Sequence, residues 1–196
     1  MMRRIIHALL VMGCSGGIPG ISHAATVLYN PPAQKQAFAF VHVDGVIIPG
    51  DAQRLEQGLA QAQQSGKPIA VMLASRGGDV DEAMVMGRLI RRYQANTYHQ
   101  NCASSCVFVF IGGVQRYTVA SGPDALVVHR PELAEAYVSR PNPFAKKMLD
   151  MLRDYIAVHT GSTNLYEAMM LIPFSQPYSF SAQQAMSMGV VTMVLP

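Results

Sequence analysis

The sequence contains no tryptophan, only three cysteines and few charged residues, which make up 14% of its 196 positions. Half of the residues are hydrophobic, so the chain has enough apolar material for a buried core, and an intrinsically disordered protein is excluded. The length is typical of one domain. Cysteine, histidine and carboxylate residues do not cluster at metal-ligand spacing, so we expect no metal site and no metal cofactor.

Positive charge is also scarce, because the net charge at pH 7 is only +3. Arg3 and Arg4 lie in an N-terminal leader, and removing the leader lowers the net charge to +1. Without a basic stripe we expect no nucleic-acid partner. Beyond the leader, no apolar run is long enough to cross a bilayer, so we expect no membrane span. Nothing in the sequence implies a nucleotide cofactor.

The leader begins MMRRIIHALLVMG, two arginines followed by a short apolar run. Small residues at Ser22 and Ala24 then suit a cleavage site, so residues 1–24 are predicted to be a secretory signal peptide. This places the mature protein outside the cytoplasm, in the periplasm. Residues 11–14 also resemble a lipobox, in which Cys14 would be lipidated instead.

Residues 25–36 are predicted to be an extended N-terminal arm and residues 37–196 the folded domain. Apolar runs of strand length alternate with segments of helical periodicity, which predicts an α/β fold: a mostly parallel sheet with flanking helices. The range 131–144 contains several prolines and is predicted to be irregular. The predicted strands are 37–43, 68–74, 97–100, 116–120 and 125–129, with a closing strand in VVTMVL; the main predicted helices are 51–65, 81–93, 107–111 and 146–159.

Small polar residues follow three of these strands. Ser104 and Ser105 stand where a strand gives way to a buried helix, Gly77-Gly78 follows the strand that ends in LA, and His129 ends another strand. The carboxyl ends of parallel strands meet at one edge of a sheet, where α/β proteins bind ligands. A nucleophilic serine needs a base and backbone N–H donors for the oxyanion, and these segments carry both.

These segments resemble the ClpP/crotonase superfamily, and within it the Clp protease proteolytic subunit. LASRGGDVDEAM is similar to the strand–SxGG–helix segment of that family, CASSCVFVF to its segment of small residues around the serine, and ALVVHRP to its histidine strand. FSAQQAMSMGVV resembles its closing element. The resemblance extends from about residue 38 to 194. It implies one ClpP/crotonase-like domain and a serine peptidase acting on peptides or unfolded proteins. It also makes a homo-oligomer an expectation, although the segment between His129 and the helix at 146 is too short and proline-rich for the family's usual oligomer-building handle.

The resemblance also implies roles for individual residues. Ser104 matches the nucleophile and His129 the base, and the N–H groups of Gly78 and Ser105 match the oxyanion hole. One part of the family's pattern is missing, because residues 171–180 contain no aspartate or glutamate to orient the histidine. Ser175, Gln176 or a backbone carbonyl would then have to take that role.

Two alternatives follow from this departure. Exported superfamily members of the signal-peptide-peptidase type use a serine–lysine dyad, and a buried Lys146 or Lys147 would supply the lysine. A catalytically impaired scaffold protein is the other alternative. A crotonase-type enzyme acting on acyl-CoA is disfavoured, because CoA thioesters are cytoplasmic.

The cysteines outside the leader are Cys102 and Cys106, which bracket the two serines. In an oxidising compartment this pair is available for a disulfide. If Cys106 lies in the first helical turn, the preceding turn brings Cys102 within bridging distance. We therefore predict a disulfide across the serines; two separate buried thiols are the alternative.

Overall fold

The computed structural model describes residues 24–120 and 126–196. The predicted signal peptide, apart from Ala24, and the lipobox cysteine Cys14 lie outside these ranges. The described residues form a single α/β domain with an eight-stranded sheet and seven helices. In chain order, the elements are β1 (Thr26–Asn30), β2 (Ala39–Asp44), α1 (Asp51–Gln63), β3 (Ile69–Ser75), α2 (Val80–Arg92), β4 (Asn96–Ala103), α3 (Cys106–Ile111), β5 (Arg116–Val119), β6 (Leu126–Val128), α4 (Glu132–Ser139), α5 (Pro143–Thr160), α6 (Asn164–Met170), β7 (Tyr178–Phe180), α7 (Ala182–Ser187) and β8 (Met193–Leu195).

The sheet is mixed and mostly parallel, which confirms the predicted fold class. Its strands follow the order β1-β2-β3-β4-β5-β8, and β6 pairs with β4 beyond the end of β5. Only β1 with β2 and β6 with β7 pair in antiparallel fashion among the described strands. Strand β3 is apolar and largely buried, as expected for a strand covered on both faces, whereas buried and partly exposed residues alternate along β2. The predicted helices lie within three residues of their observed bounds.

Helix α3 lies in the centre of the core and carries the serine segment at its start. All six of its residues are buried, in agreement with an apolar sequence that has no polar face. The backbone of Gly112 after α3 contacts Gly87 of α2 so closely that a Cβ on either residue would overlap its neighbours. The hydroxyl of Tyr155 on α5 donates to the Phe108 carbonyl at 2.6 Å. These contacts fix α3, and with it the preceding turn, against two long helices.

The range 131–144 differs from the prediction, because it is not irregular but contains α4 and the start of α5. The prolines flank these helices instead of interrupting them. Pro131 is the N-cap of α4, and Pro143 occupies the first turn of α5, where a missing N–H costs nothing. Glu132 and Glu135 in the first turn of α4 complement the helix dipole.

Two further strands were not predicted as such. Residues 26–30 of the expected arm form β1 along the edge of the sheet. Strand β7 has only three residues and pairs with β6. Across the described part of the chain, no helix combines the length and apolar character required to cross a bilayer.

Candidate active site

Three neighbouring strands bring the predicted site residues to one edge of the sheet. In the register, Ser75 at the end of β3 lies beside Cys102 of β4, and Ala103 of β4 lies beside Val127 of β6. A register shift between β3 and β4, near their carboxyl ends, adds one residue to β4 just before the serine segment. The residues that follow these strands, Gly77-Gly78, Ser104 and His129, are therefore delivered to the same region.

Ser104 has an unusual backbone conformation, with a positive φ of 56°. Few residues other than glycine, asparagine and aspartate adopt this left-handed conformation, and strained backbone of this kind concentrates at functional sites. Hydrogen bonds hold the residue on both sides. Its N–H donates to Val127 O at 2.8 Å, and its carbonyl accepts from Val107 N at 3.0 Å. The turn thus fixes the serine between the end of β4 and the first turn of α3.

A disulfide joins Cys102 to Cys106, as predicted. The two Cα atoms are 5.3 Å apart, and both residues are fully buried. The bridge connects the penultimate residue of β4 to the first residue of α3, and Ser104 lies at the centre of the loop that it closes. The disulfide therefore constrains the same turn that the backbone hydrogen bonds hold.

Ser105 lies beside the nucleophile candidate but is buried, with 1% of its surface exposed. Its hydroxyl has no hydrogen-bond partner among the described residues. Ser104 is partly exposed. Of the two neighbouring hydroxyls, that of Ser104 is therefore the more accessible to a ligand.

The glycine pair forms a turn that crosses the end of the sheet. Ile47 N donates to Gly77 O and Asp79 N donates to Ile47 O, both at 2.9 Å. In a parallel bridge of this kind the intervening residue directs its own N–H to the opposite side, so Gly78 N–H points away from Ile47. A Cβ on Gly78 would overlap the Ile47 carbonyl. Only glycine fits there, and the residue is exposed at this edge of the sheet.

Gly77 presses directly on the serine turn. A Cβ built on it would lie 2.7 Å from Ala103 O, 2.8 Å from Ser104 Cβ and 2.9 Å from Ser105 N. Its own N–H donates to Ser75 Oγ at 3.1 Å. The glycine turn and the serine turn therefore pack backbone against backbone, which brings the segment that contains Gly78 beside Ser104.

His129 follows β6 and is half-buried. Its Nδ1 lies 2.8 Å from the carbonyl oxygen of Arg130. A carbonyl only accepts, so Nδ1 carries the proton and Nε2 of the neutral ring has a free lone pair. The Phe174 ring packs edge-on against the imidazole, with ring centroids 4.8 Å apart. The imidazole is thus held by a hydrogen bond to a backbone carbonyl and by the Phe174 ring, a contact that sequence reasoning missed.

The two lysines considered as alternative bases are exposed. Lys146 Nζ donates to Asp150 Oδ2 at 2.6 Å, and 63% of the lysine side chain is open to solvent. This hydrogen bond raises the pKa of Lys146, the opposite direction to what a base needs. Lys147 is likewise exposed. The burial on which the lysine alternative depended is absent at both positions.

A cavity of about 270 Å³ opens beside the site. Asp79 and Val80, which directly follow Gly78, line one side of it, and Pro131 lies on the other. Most of its wall is apolar and comes from α2, α4 and α5: Met84, Leu133, Phe144, Met148, Leu149 and Leu152. A pocket of this kind accepts an apolar side chain. Over the described ranges, no three histidine, cysteine or carboxylate side chains group as metal ligands would.

Comparisons with known proteins agree with this architecture. No family model matches the sequence, and no curated protein matches it significantly. Solved structures do match, and they identify the fold as ClpP-like. They include ClpP1 from Listeria monocytogenes and a point mutant of the same protein, each with a TM-score of 0.61 and 18% identity, covering 80% of this chain and 90% of the other. At this identity the match shows the fold alone.

Proposed function

We propose that this protein is a serine hydrolase, a peptidase of ClpP-like fold that uses Ser104 as nucleophile and His129 as base. One observation carries the proposal: Ser104, in a strained and doubly held turn, and His129 follow adjacent strands at one sheet edge. His129 also has the tautomer that leaves Nε2 able to accept a proton.

The proposed reaction is acyl transfer. His129 Nε2 takes the Ser104 hydroxyl proton as Oγ attacks the scissile carbonyl, and the N–H groups of Gly78 and Ser105 stabilise the oxyanion. The imidazolium then gives its proton to the leaving amine as the C–N bond breaks. Water, deprotonated by the same imidazole, releases the acid and restores Ser104.

The substrate class follows from the cavity and the fold. An apolar side chain on the acyl side of the scissile bond would enter the pocket between α2, α4 and α5, next to Gly78. We infer peptide or unfolded-protein substrates with Leu, Met or Phe at that position. Self-association into a homo-oligomer remains a prediction of the resemblance.

Mutation of the two kinds of base tests the catalytic assignment. On a peptide with Leu before the scissile bond, His129→Ala should lower kcat/KM by at least about 10³-fold, because the general base is lost. The double change Lys146→Ala, Lys147→Ala should leave it within about twofold, since both side chains face solvent. The reverse pattern would assign the base to a lysine.

Export is a second part of the proposal. A buried disulfide in the serine turn is compatible with an oxidising compartment. Intact-mass analysis of protein from a secreting host should give an N-terminus at Ala25. A lipid-modified Cys14 would replace this with a membrane anchor, and retention of Met1 would rule out export.

A scaffold protein on the same fold is the competing proposal. It is favoured by one observation, that Nδ1 of His129 bonds to a neutral carbonyl and not to a carboxylate. Loss of an orienting carboxylate lowers turnover about 10⁴-fold in a serine protease while the geometry stays intact. A purified, disulfide-bonded protein that hydrolyses no peptide and no activated ester would support the scaffold.

A further inference from the structure

We propose that Glu135 is a positioning residue for the base, His129. A carboxylate in contact with a histidine orients its ring directly, whereas Glu135 acts through Arg130 and Phe174. This inference rests on the proposed function. Glu135 lies on α4, the helix that follows the histidine strand. It accepts hydrogen bonds from Arg130 and from Phe174, and both of these residues contact the His129 ring.

The proposal rests on a closed circuit of contacts among four residues, His129, Arg130, Glu135 and Phe174. His129 Nδ1 donates to Arg130 O at 2.8 Å, and the ring packs against Phe174. Arg130 Nε donates to Glu135 Oε1 at 2.7 Å, and Phe174 N donates to the same oxygen at 2.8 Å. One carboxylate oxygen of Glu135 thus holds both Arg130, which bonds to the imidazole, and Phe174, which packs against it.

The circuit ties together segments that are distant in sequence. Glu135 and Phe174 are 39 residues apart, and the segment around Phe174 is held again where Arg130 N donates to Ile172 O at 2.9 Å. The side chain of Glu135 is about one-third exposed, and its bonds to Arg130 and to Phe174 N–H lower its pKa. It is therefore an anion at neutral pH and keeps both bonds.

Glu135 fixes the imidazole in position, whereas a carboxylate in direct contact would also stabilise its positive charge. Without the carboxylate oxygen, the Phe174 backbone and the Arg130 side chain lose their common acceptor. The imidazole then loses the support of the Phe174 ring and samples more orientations. A misplacement of about 1 Å at a reacting group lowers the rate about 10²-fold.

Four variants separate position from charge. Glu135→Ala removes the acceptor, and Glu135→Asp keeps the charge but withdraws the oxygen by one methylene. Glu135→Gln keeps an oxygen at the original reach. Glu132→Ala is the matched control, since Glu132 is an exposed carboxylate on the same helix. Circular dichroism and Tm establish that each variant is folded.

Two measurements are made on each variant: the rate at which a fluorophosphonate labels Ser104, and the ¹H–¹³C NMR signal of the His129 Cε1–H group. We expect Glu135→Ala and Glu135→Asp to label at least about tenfold more slowly, up to the 10²-fold of a 1 Å displacement. Both should shift the His129 signal. Glu135→Gln should label within about threefold of the original rate, and Glu132→Ala should label at the original rate.

The proposal is overturned if Glu135→Ala labels at the original rate with its His129 signal unmoved. It is also overturned if Glu135→Gln slows labelling more than Glu135→Asp does, because the charge of the side chain, and not the position of its oxygen, would then control the rate. Absence of labelling in the unmutated protein would refute the proposed function instead. In that case the NMR signal alone decides whether Glu135 positions the ring.

Discussion

Replacement of Gly77 by alanine tests whether the glycine turn and the serine turn form one unit. The new Cβ would meet Ala103 O, Ser104 Cβ and Ser105 N at 2.7, 2.8 and 2.9 Å, whereas ordinary contacts begin at 3.4 Å. Two of these atoms are backbone and the third is the first side-chain atom of Ser104, so none can rotate away. The serine turn must move by roughly 0.5–1 Å, a displacement that lowers a reaction rate by up to about 10²-fold.

Gly66→Ala is the matched control. Gly66 also has a positive φ, 68° against 90° at Gly77, but nothing lies within 4 Å of its Cβ position. Both variants lose roughly 1–2 kcal/mol because alanine is strained at positive φ. Gly77→Ala should lose about 1–3 kcal/mol more through overpacking.

Denaturant unfolding gives the stability difference, and the fluorophosphonate labelling rate of Ser104 gives the functional one. We expect Gly66→Ala to label at the original rate and Gly77→Ala to label at least about tenfold more slowly while still folded. Equal labelling rates in the two variants would refute the close contact between the turns.

Two further predictions concern stability. Changing both Cys102 and Cys106 to alanine should lower the free energy of unfolding by about 2 kcal/mol, since the bridge closes a short loop, and so lower Tm by roughly 4–8 °C. Slow labelling of Ser104 with little change in Tm would show that the bridge acts mainly on the turn. An unchanged Tm together with an unchanged labelling rate would contradict its proposed role. Burial lowers the pKa of His159, so the unfolded chain binds the proton more readily and stability should fall as pH drops below about 6.5. His159→Gln should flatten this dependence in denaturant titrations between pH 7 and 5, and an unaltered slope would contradict it.

The order of strands and helices was predictable because each follows a local pattern. The buried strand from Ile69 and the amphipathic helix from Val80 show the periodicity of their elements in sequence. Strand β7 shows no such pattern, because three residues become a strand only by pairing with β6. Helix α4 was not predicted because the range 131–144 is rich in proline, whereas here the prolines mark the helix starts.

The predicted site residues come to one sheet edge because parallel strands align their carboxyl ends. The backbone conformation of these residues, and the contacts that hold them, could not be predicted from the sequence. Ser104 adopts a positive φ that its residue type disfavours, so tertiary contacts impose it. The family's pattern places the orienting carboxylate within residues 171–180. Glu135, which we propose positions His129, instead lies on a helix, 39 residues before Phe174 in the chain. Only the folded structure joins those two segments.

We propose that Ser104 is a nucleophile activated by His129. This proposal is tested most directly by treating the folded, disulfide-bonded protein with a fluorophosphonate and mapping the adduct by peptide mass spectrometry. We expect one adduct on Ser104, absent in Ser104→Ala and strongly reduced in His129→Ala. An adduct on another serine, or no adduct on folded protein, would contradict it.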